Sequence, residues 1–470
     1  MTFPTPSRSS VLPRESASHN GSGRRRSPFQ VVARVLFLAT IFGAPWAFGA
    51  VQPWAWGALT IIALLLLVLW AAGCAQRGVL RLNWSTLYLP FLALLVLAAI
   101  QFFGHFTSDH LATREALLKL FTNGVFFFLA GQLLFNESGS GRTMKRWGLL
   151  VLLLAFGLSV LALAQVMTTG HGIIYWSIHT PFGPFGPYVS ANDYCGLLEM
   201  LIPVSVGYIL SGSSHRVPRV LLWMTVGVAL TSVAISGSRG GAAVILIELL
   251  LFGFIIFRFR SRGTAQFGLS LILGLLIASA VVFAWMAGGG GRADRALSIF
   301  QTDKSVQVKM GDRLWVAKDT LKMALHHPWL GIGVGAFETA FPPYMTHVSD
   351  LHWTHAHDDF AEGLAETGLG GGVLLLWGLA LFFSLGFSRI RERLRVDWGW
   401  IPVGALVGAT GLLCHSLVDF NMRVSANAAW FVVCVAVATQ PASWPARSAR
   451  ASRRSAPVRN DEFVNDEFLN

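Results

Sequence analysis

Runs of about twenty apolar residues recur along the chain, divided by short polar breaks. As a helix rising 1.5 Å per residue, such a run crosses a hydrocarbon core of ~30 Å. The runs fall near 31–50, 54–75, 85–104, 115–135, 147–166, 191–211, 220–236, 241–257, 267–287, 369–388, 399–418 and 427–440, which predicts about twelve transmembrane helices. The shortest, at ~14 residues, need tilt or a locally thinner bilayer. Residues 1–30 are rich in Ser, Pro and Arg, a composition that builds no core, and read as a basic tail. The apolar run from Val31 leads almost directly into a second one, so the first span is expected to be retained and not cleaved as a signal peptide. Residues 31–287 then carry helices one to nine, 288–368 form one long polar segment, 369–440 carry the last three helices, and 441–470 are a second tail.

The long segment has its own pattern. Asp312 stands where an N-cap belongs, and Leu314, Ala317, Leu321 and Leu325 recur at helical spacing until Pro328 stops the run. A second short helix over 357–367 places Phe360 and Leu364 on one side, with Gly368 as its C′ residue. Two amphipathic helices lying over the bundle as a lid are expected.

Composition agrees with the span count. Of 470 residues, 54% are hydrophobic and 13% charged, where a soluble chain carries roughly 25% charged residues. The fold class is therefore an all-α polytopic membrane protein. A net charge of +12 invites a polyanion partner, but the positions of the cations decide otherwise: 25 of the 36 Lys and Arg fall in the two tails and in alternate connections. That is the positive-inside pattern, so both termini are expected in the cytoplasm, 288–368 is expected in the periplasm, and no nucleic-acid partner is implied. Trp46, Trp54 and Trp56 flank the first external turn, at headgroup depth. Cys74, Cys195, Cys414 and Cys434 sit in or beside apolar runs without metal-ligand spacing and read as small core residues.

Chemistry-bearing residues gather at the external face. Arg239, in Ser236-Gly-Ser-Arg-Gly-Gly241 between two spans, is costly at that depth without a partner. A guanidinium fork suits phosphate oxygens, and Arg313 near the start of the lid helix supplies a second cation at a helix N-terminus, so the pair suits a diphosphate. His355-Ala-His357-Asp358-Asp359 matches the opening of the metallo-β-lactamase zinc motif but lacks its next histidine, where Phe360 stands, so no metal is assigned. The alternatives for these histidines are caps within the loop or a general base for a hydroxyl. Gly331-Ile-Gly333-Val-Gly335 has no βαβ unit around it; its glycines are expected to serve tight turns or close backbone approach.

Several stretches resemble the O-antigen ligase and polymerase superfamily. They are Gly183-Pro-Phe-Gly-Pro-Tyr-Val-Ser-Ala-Asn192-Asp-Tyr-Cys-Gly196, the Ser-Arg239-Gly-Gly turn, His327-Pro-Trp-Leu-Gly-Ile-Gly-Val-Gly-Ala-Phe337, Thr354-His-Ala-His357-Asp-Asp-Phe360, Glu366-Thr-Gly368-Leu-Gly-Gly371 and His415-Ser-Leu-Val-Asp-Phe420. The ligase signature of that family, His, then Asn, Ser or Gln, nine residues, then Gly-x-x-Gly, Thr or Tyr, is met by His357, Gly368 and Gly371, with Asp358 as the departure. The resemblance implies a GT-C-like fold with a two-helix periplasmic loop in a bacterial inner membrane. It also implies an inverting, metal-independent glycosyltransferase without a cofactor. The implied donor is an undecaprenyl-diphosphate-linked oligosaccharide; the implied acceptor is a lipid-linked glycan or lipid A-core. His357 is the expected base, Arg239 and Arg313 the diphosphate ligands, and His355, Asn192, Asp358 and Asp359 supporting candidates. A protein O-oligosaccharyltransferase of the same superfamily and a twelve-helix solute transporter are the alternatives. The one-sided placement of the polar residues, instead of a midplane site between inverted repeats, favours the enzyme.

Overall fold

The computed structural model describes residues 27–78, 80, 82–135, 140–169, 173–179, 183–212, 217–259, 310–347 and 352–440. The span expected at 267–287, the glycine run at 288–291 and nearly all of both tails lie outside the described residues. The other eleven expected spans are helical, and the protein is an all-α polytopic membrane protein. The helices are α1 (Pro28–Gly43), α2 (Pro53–Arg77), α3 (Tyr88–Phe103), α4 (His110–Leu134), α5 (Ser140–Thr169), α6 (Ala191–Leu210), α7 (Arg219–Ser236) and α8 (Arg239–Phe259). After the undescribed stretch come α9 (Met310–His326), α10 (Asp359–Ser388), α11 (Trp400–His415) and α12 (Ser425–Thr439). Among the described residues eight helices are long and apolar enough to cross a membrane, and α3 and α12 are shorter apolar helices. Residues 28–30, expected in the tail, open α1, because Pro28 at the first turn costs no backbone bond there.

The bundle is built around α6, which is buried along nearly its whole length between α5, α7, α8, α11 and α12. Outer helices keep large apolar side chains exposed, among them Ile61 and Val68 on α2, Leu92 and Val96 on α3, and Leu250 and Phe254 on α8. A helix apolar on all sides is at home only in lipid, so these faces meet acyl chains. Cys74, Cys195 and Cys434 are buried and Cys414 half-buried, as small core residues should be. Local signals set the ends: Asp109 caps α4 through the Ala112 N–H at 2.9 Å, Gly78 and Gly237 end α2 and α7 at positive φ, and Ser190 caps α6.

One expectation for the lid region changes and one is met. First, α9 begins at Met310, so Asp312 lies in its first turn and is not its N-cap. Its expected inner row faces outward: Leu314, Leu321 and Leu325 are exposed and Ala317 is half-buried. The inner face is Val316, Asp319, Thr320, Met323 and Ala324, packed on Ile332, Phe337, Phe341, Trp353, Ala356 and Ala365. The polar members are buried because they are satisfied. Asp319 accepts from Lys322 Nζ at 2.8 Å and from Thr346 N and Oγ1 at 2.9 and 2.7 Å.

Second, Gly368 ends the short helix as expected, and a new helical run follows it without an intervening loop. At φ 61°, ψ −162°, a conformation open only to glycine, it is the kink at which the two helical runs of α10 meet. The break frees backbone groups on both sides, and one neighbouring segment takes them up. Ile332 N and Gly333 N donate to the carbonyls of Ala365 and Glu366 at 3.0 and 3.1 Å, while Leu369 N donates to Pro328 O at 2.7 Å. Gln101 of α3, fully buried, donates to Leu330 O and Glu366 O and accepts from Val334 N. A Cβ on Gly331 would lie 2.3 Å from the Glu366 carbonyl carbon, so the glycine-rich run is there for close approach, as expected. This interlock ties the lid to the bundle just below the turn that carries His357.

Candidate active site

The turn at 355–358 is held from three directions. Glu362, one turn into α10, clamps its near side: His355 Nδ1 lies 3.0 Å from Oε1, and Ala356 N donates to Oε2 at 2.7 Å. His357 has φ +54°, the left-handed region that costs a non-glycine residue, and this reversal turns the chain from Ala356 into α10. Asp358 then caps α10, accepting from Phe360 N and Ala361 N at 3.0 Å each. Burial pushes the Asp358 carboxyl above the usual carboxylate range against the pull of those two bonds. An amide or hydroxyl oxygen would serve the same N–H groups, so the aspartate keeps the cap that the usual residue at this position would make. Asp359 N donates to Ser416 O at 2.9 Å and its Oδ2 accepts from Met422 N at 3.0 Å, which brings in the loop after α11.

That loop supplies the residue on which the site converges. Asp419 Oδ1 stands 3.4 Å from His357 Nδ1, and its Oδ2 takes the Asn192 amide at 2.5 Å and Arg313 Nη1 at 3.3 Å. Arg313 Nη1 also donates to Val418 O at 2.7 Å. Burial works against a charge on Asp419, but His357 and Arg313 outweigh it and hold its carboxyl well below the usual range. At 3.4 Å Asp419 faces Nδ1 without a hydrogen bond of good geometry, and a proton on that nitrogen would leave the Nε2 lone pair for a general base. Trp353 and Phe420 wall the ring edge-on, at centroid distances of 5.8 and 4.8 Å.

Behind this, Arg423 is clasped by Glu366 at 2.7 Å, Glu362 at 3.2 Å and Asp359 at 3.9 Å. Burial disfavours its charge, yet the three carboxylates prevail and raise its pKa above the ordinary arginine value. The cluster fastens the Asp419 loop to α10. Among the expected site residues, His357, Arg313 and Asn192 thus meet at Asp419, while His355, Asp358 and Asp359 hold the turn. Nothing in the charge pattern singled out Asp419, Glu362 or Arg423. The one signal was Asp419 closing the motif that begins at His415.

Arg239 stands apart. It is exposed, and no contact with His357 or Arg313 is described. Its turn is a helix N-terminus: Ser238 Oγ accepts from Gly241 N at 3.1 Å and Ser238 O from Ala242 N at 3.0 Å, leaving the Arg239 and Gly240 N–H groups for an anion. The turn abuts Cys195, one helical turn beyond Asn192, so it lies at the same end of the bundle.

Residues 224–376 match the O-antigen ligase family model.

The matched stretch holds Arg239, Arg313, the 355–359 turn and the Gly368 break, and it agrees with the resemblance carried by the motifs. Asn192 and Asp419 fall outside it and reach the matched residues through the fold alone. No curated protein matches the chain. A cavity of about 340 Å³, lined by Leu210, Arg219, Phe259, Arg395, Asp397 and Trp400, lies at the opposite end of the bundle and takes no part in the site.

Proposed function

We propose that the protein is an inverting membrane glycosyltransferase that moves an undecaprenyl-diphosphate-linked glycan onto an acceptor hydroxyl at the periplasmic face, as a surface-polysaccharide polymerase or O-antigen ligase. The observation that carries this reading is the convergence of His357 and Arg313 on buried Asp419. His357 Nε2 takes the acceptor O–H proton as the oxygen forms its bond to the anomeric carbon. The bond from that carbon to the diphosphate oxygen breaks, and its electron pair leaves with the lipid diphosphate. Arg313 keeps N–H donors beyond the Nη1 bonds to Asp419 and Val418, and together with Arg239 and the α8 N-terminus it stabilises the departing charge. No step needs a metal.

The test is the glycan profile of a deletion strain complemented with variants. Accumulated single lipid-linked repeats identify a polymerase, accumulated long lipid-linked chains a ligase, and an undersized glycoprotein pool a protein transferase. Arg239→Ala and Arg313→Ala should insert normally and fail to complement, with Lys rescuing poorly because a point charge lacks the fork. Full complementation by either Ala variant removes that arginine from the mechanism, and an unchanged deletion profile favours a transporter.

A further inference from the structure

His415 opens the motif that contains Asp419, yet its side chain makes no hydrogen bond to His357, Arg313 or Asp419. It is 1% exposed inside the bundle, with Nδ1 2.8 Å from Oε1 of Glu199 on α6, itself fully buried. Its Nε2 has no hydrogen-bond partner among the described residues and faces Gly240 of α8, where a Cβ would lie 2.7 Å away. The converse arrangement occurs deeper along the same two helices. Buried Glu248 of α8 projects at Gly411 of α11, where a Cβ would stand 1.8 Å from Oε1, and neither Glu248 oxygen has a hydrogen-bond partner among the described residues. Each helix therefore seats one polar side chain in a glycine notch of the other.

Ionisable groups inside a bundle are costly, and small-residue packing needs none of them, so their presence at both notches asks for a role beyond cohesion. Their place supplies one. Gly240 adjoins Arg239, while four residues beyond His415 the chain reaches Asp419, which with Val418 holds Arg313. We infer that His415, seated by Glu199, and Glu248 are positioning residues that lock α8 against α11 in one register and so fix the span between Arg239 and Arg313. This rests on the reading of those arginines as diphosphate ligands. A fixed span is what distinguishes a diphosphate from a single phosphate.

The experiment compares affinities of the purified full chain in nanodiscs for undecaprenyl diphosphate and undecaprenyl monophosphate, alongside melting temperature. Gly240→Ala, whose methyl meets His415, and Glu248→Ala, which only empties the Gly411 notch, should each lower the preference for diphosphate about tenfold. The Gly240→Ala/His415→Ala pair should be no worse than His415→Ala alone, because the methyl then has nothing to displace. A lowered melting temperature with an unchanged preference in both single variants, or simple addition of the two losses in the pair, overturns the lock. Arg239→Ala and Arg313→Ala separate the two levels. If they lower the preference and the notch variants do not, the lock alone falls; if they leave it unchanged, the diphosphate reading falls.

Discussion

His357 is fixed by backbone and charge together. Its left-handed φ has a cost that the Glu362 clamp and the Asp358 cap offset on either side, and Asp419 orients the ring. His355 lacks the left-handed φ, and the carboxylate facing its Nδ1, Glu362 at 3.0 Å, makes it a brace of the turn. His357→Ala should therefore reduce transfer by about 10²–10⁴-fold while donor binding persists, the usual worth of a positioned base. His355→Ala should lose less, and chelator should leave the rate unchanged. Donor consumption by purified variants decides this: equal losses at both histidines with chelator inactivation would replace the mechanism with a metal-dependent one. Asp419→Asn tests the pairing through stability. Removing one partner of a buried ionic group costs about 3–5 kcal/mol, and partial exposure of Arg313 and His357 places this variant at or below the low end. Because the folded-state pKa of Asp419 is depressed, its contribution is complete above the unfolded value of ~3.9 and is lost as pH falls through the lower folded value. The melting-temperature gap between wild type and Asp419→Asn should be widest near neutrality and close on acidification; a constant gap sinks the assignment. His357 was legible in sequence because its distance to Gly368 and Gly371 is a local spacing. Asp419 was not, since a single acid near an apolar run acquires meaning only when α11 returns it to the turn.

At the scale of elements, the break at Gly368 shows where local reading stops. Glycine after a helical run predicts a C′ stop, and the backbone does turn to positive φ there, but the helix resumes because Pro328 O and Trp329 O receive the N–H groups of Leu369 and Gly370. No local rule reveals that a segment some forty residues upstream will cap both sides of a break. Gln101, near the end of a span that hydropathy alone reads as plain, closes the same interlock. Gln101→Leu keeps much of the volume and strips the Leu330 carbonyl and the Val334 N–H of their partner, at about 1–3 kcal/mol for each group left unsatisfied. It should melt lower in detergent and transfer more slowly; wild-type melting would mean the interlock does not hold the break. The α9 face was misread for a related reason. Leucines at helical spacing ordinarily point inward, whereas here Asp319 and Thr320 take the inner face because Lys322, Thr346 and the backbone satisfy them. Among the described residues the spans set by long apolar runs came through, with ends shifted by up to seven residues at α1 and α5 and with the short helix from Asp359 joined to the span at 369–388.

Across the whole molecule, the proposed catalytic convergence lies where α6 and α8 begin and α11 ends, and the basic connections lie at the other pole. Arg219 at the start of α7, Arg258 near the end of α8 and the run Arg389 to Arg395 after α10 share that pole with the start of α11. Lys and Arg are retained on the cytoplasmic side during insertion, and this distribution supports the proposed orientation with His357 outward. The donor reading depends on that orientation, because the sugar and diphosphate of the proposed donor must stand on the face that presents His357 and Arg313. Single cysteines read it directly. Pro343 and Glu392 are both exposed, one beside α9 and the other in the basic connection. Pro343→Cys and Ser298→Cys should label with a membrane-impermeant thiol reagent in intact spheroplasts, while Glu392→Cys and Ser455→Cys should label only after lysis. The native cysteines give a low background, three being buried and Cys414 half-buried, and the unsubstituted chain measures it. The opposite pattern at Pro343 and Glu392 would place His357 in the cytoplasm, and the transfer proposed for the periplasmic face would then have no access to its base.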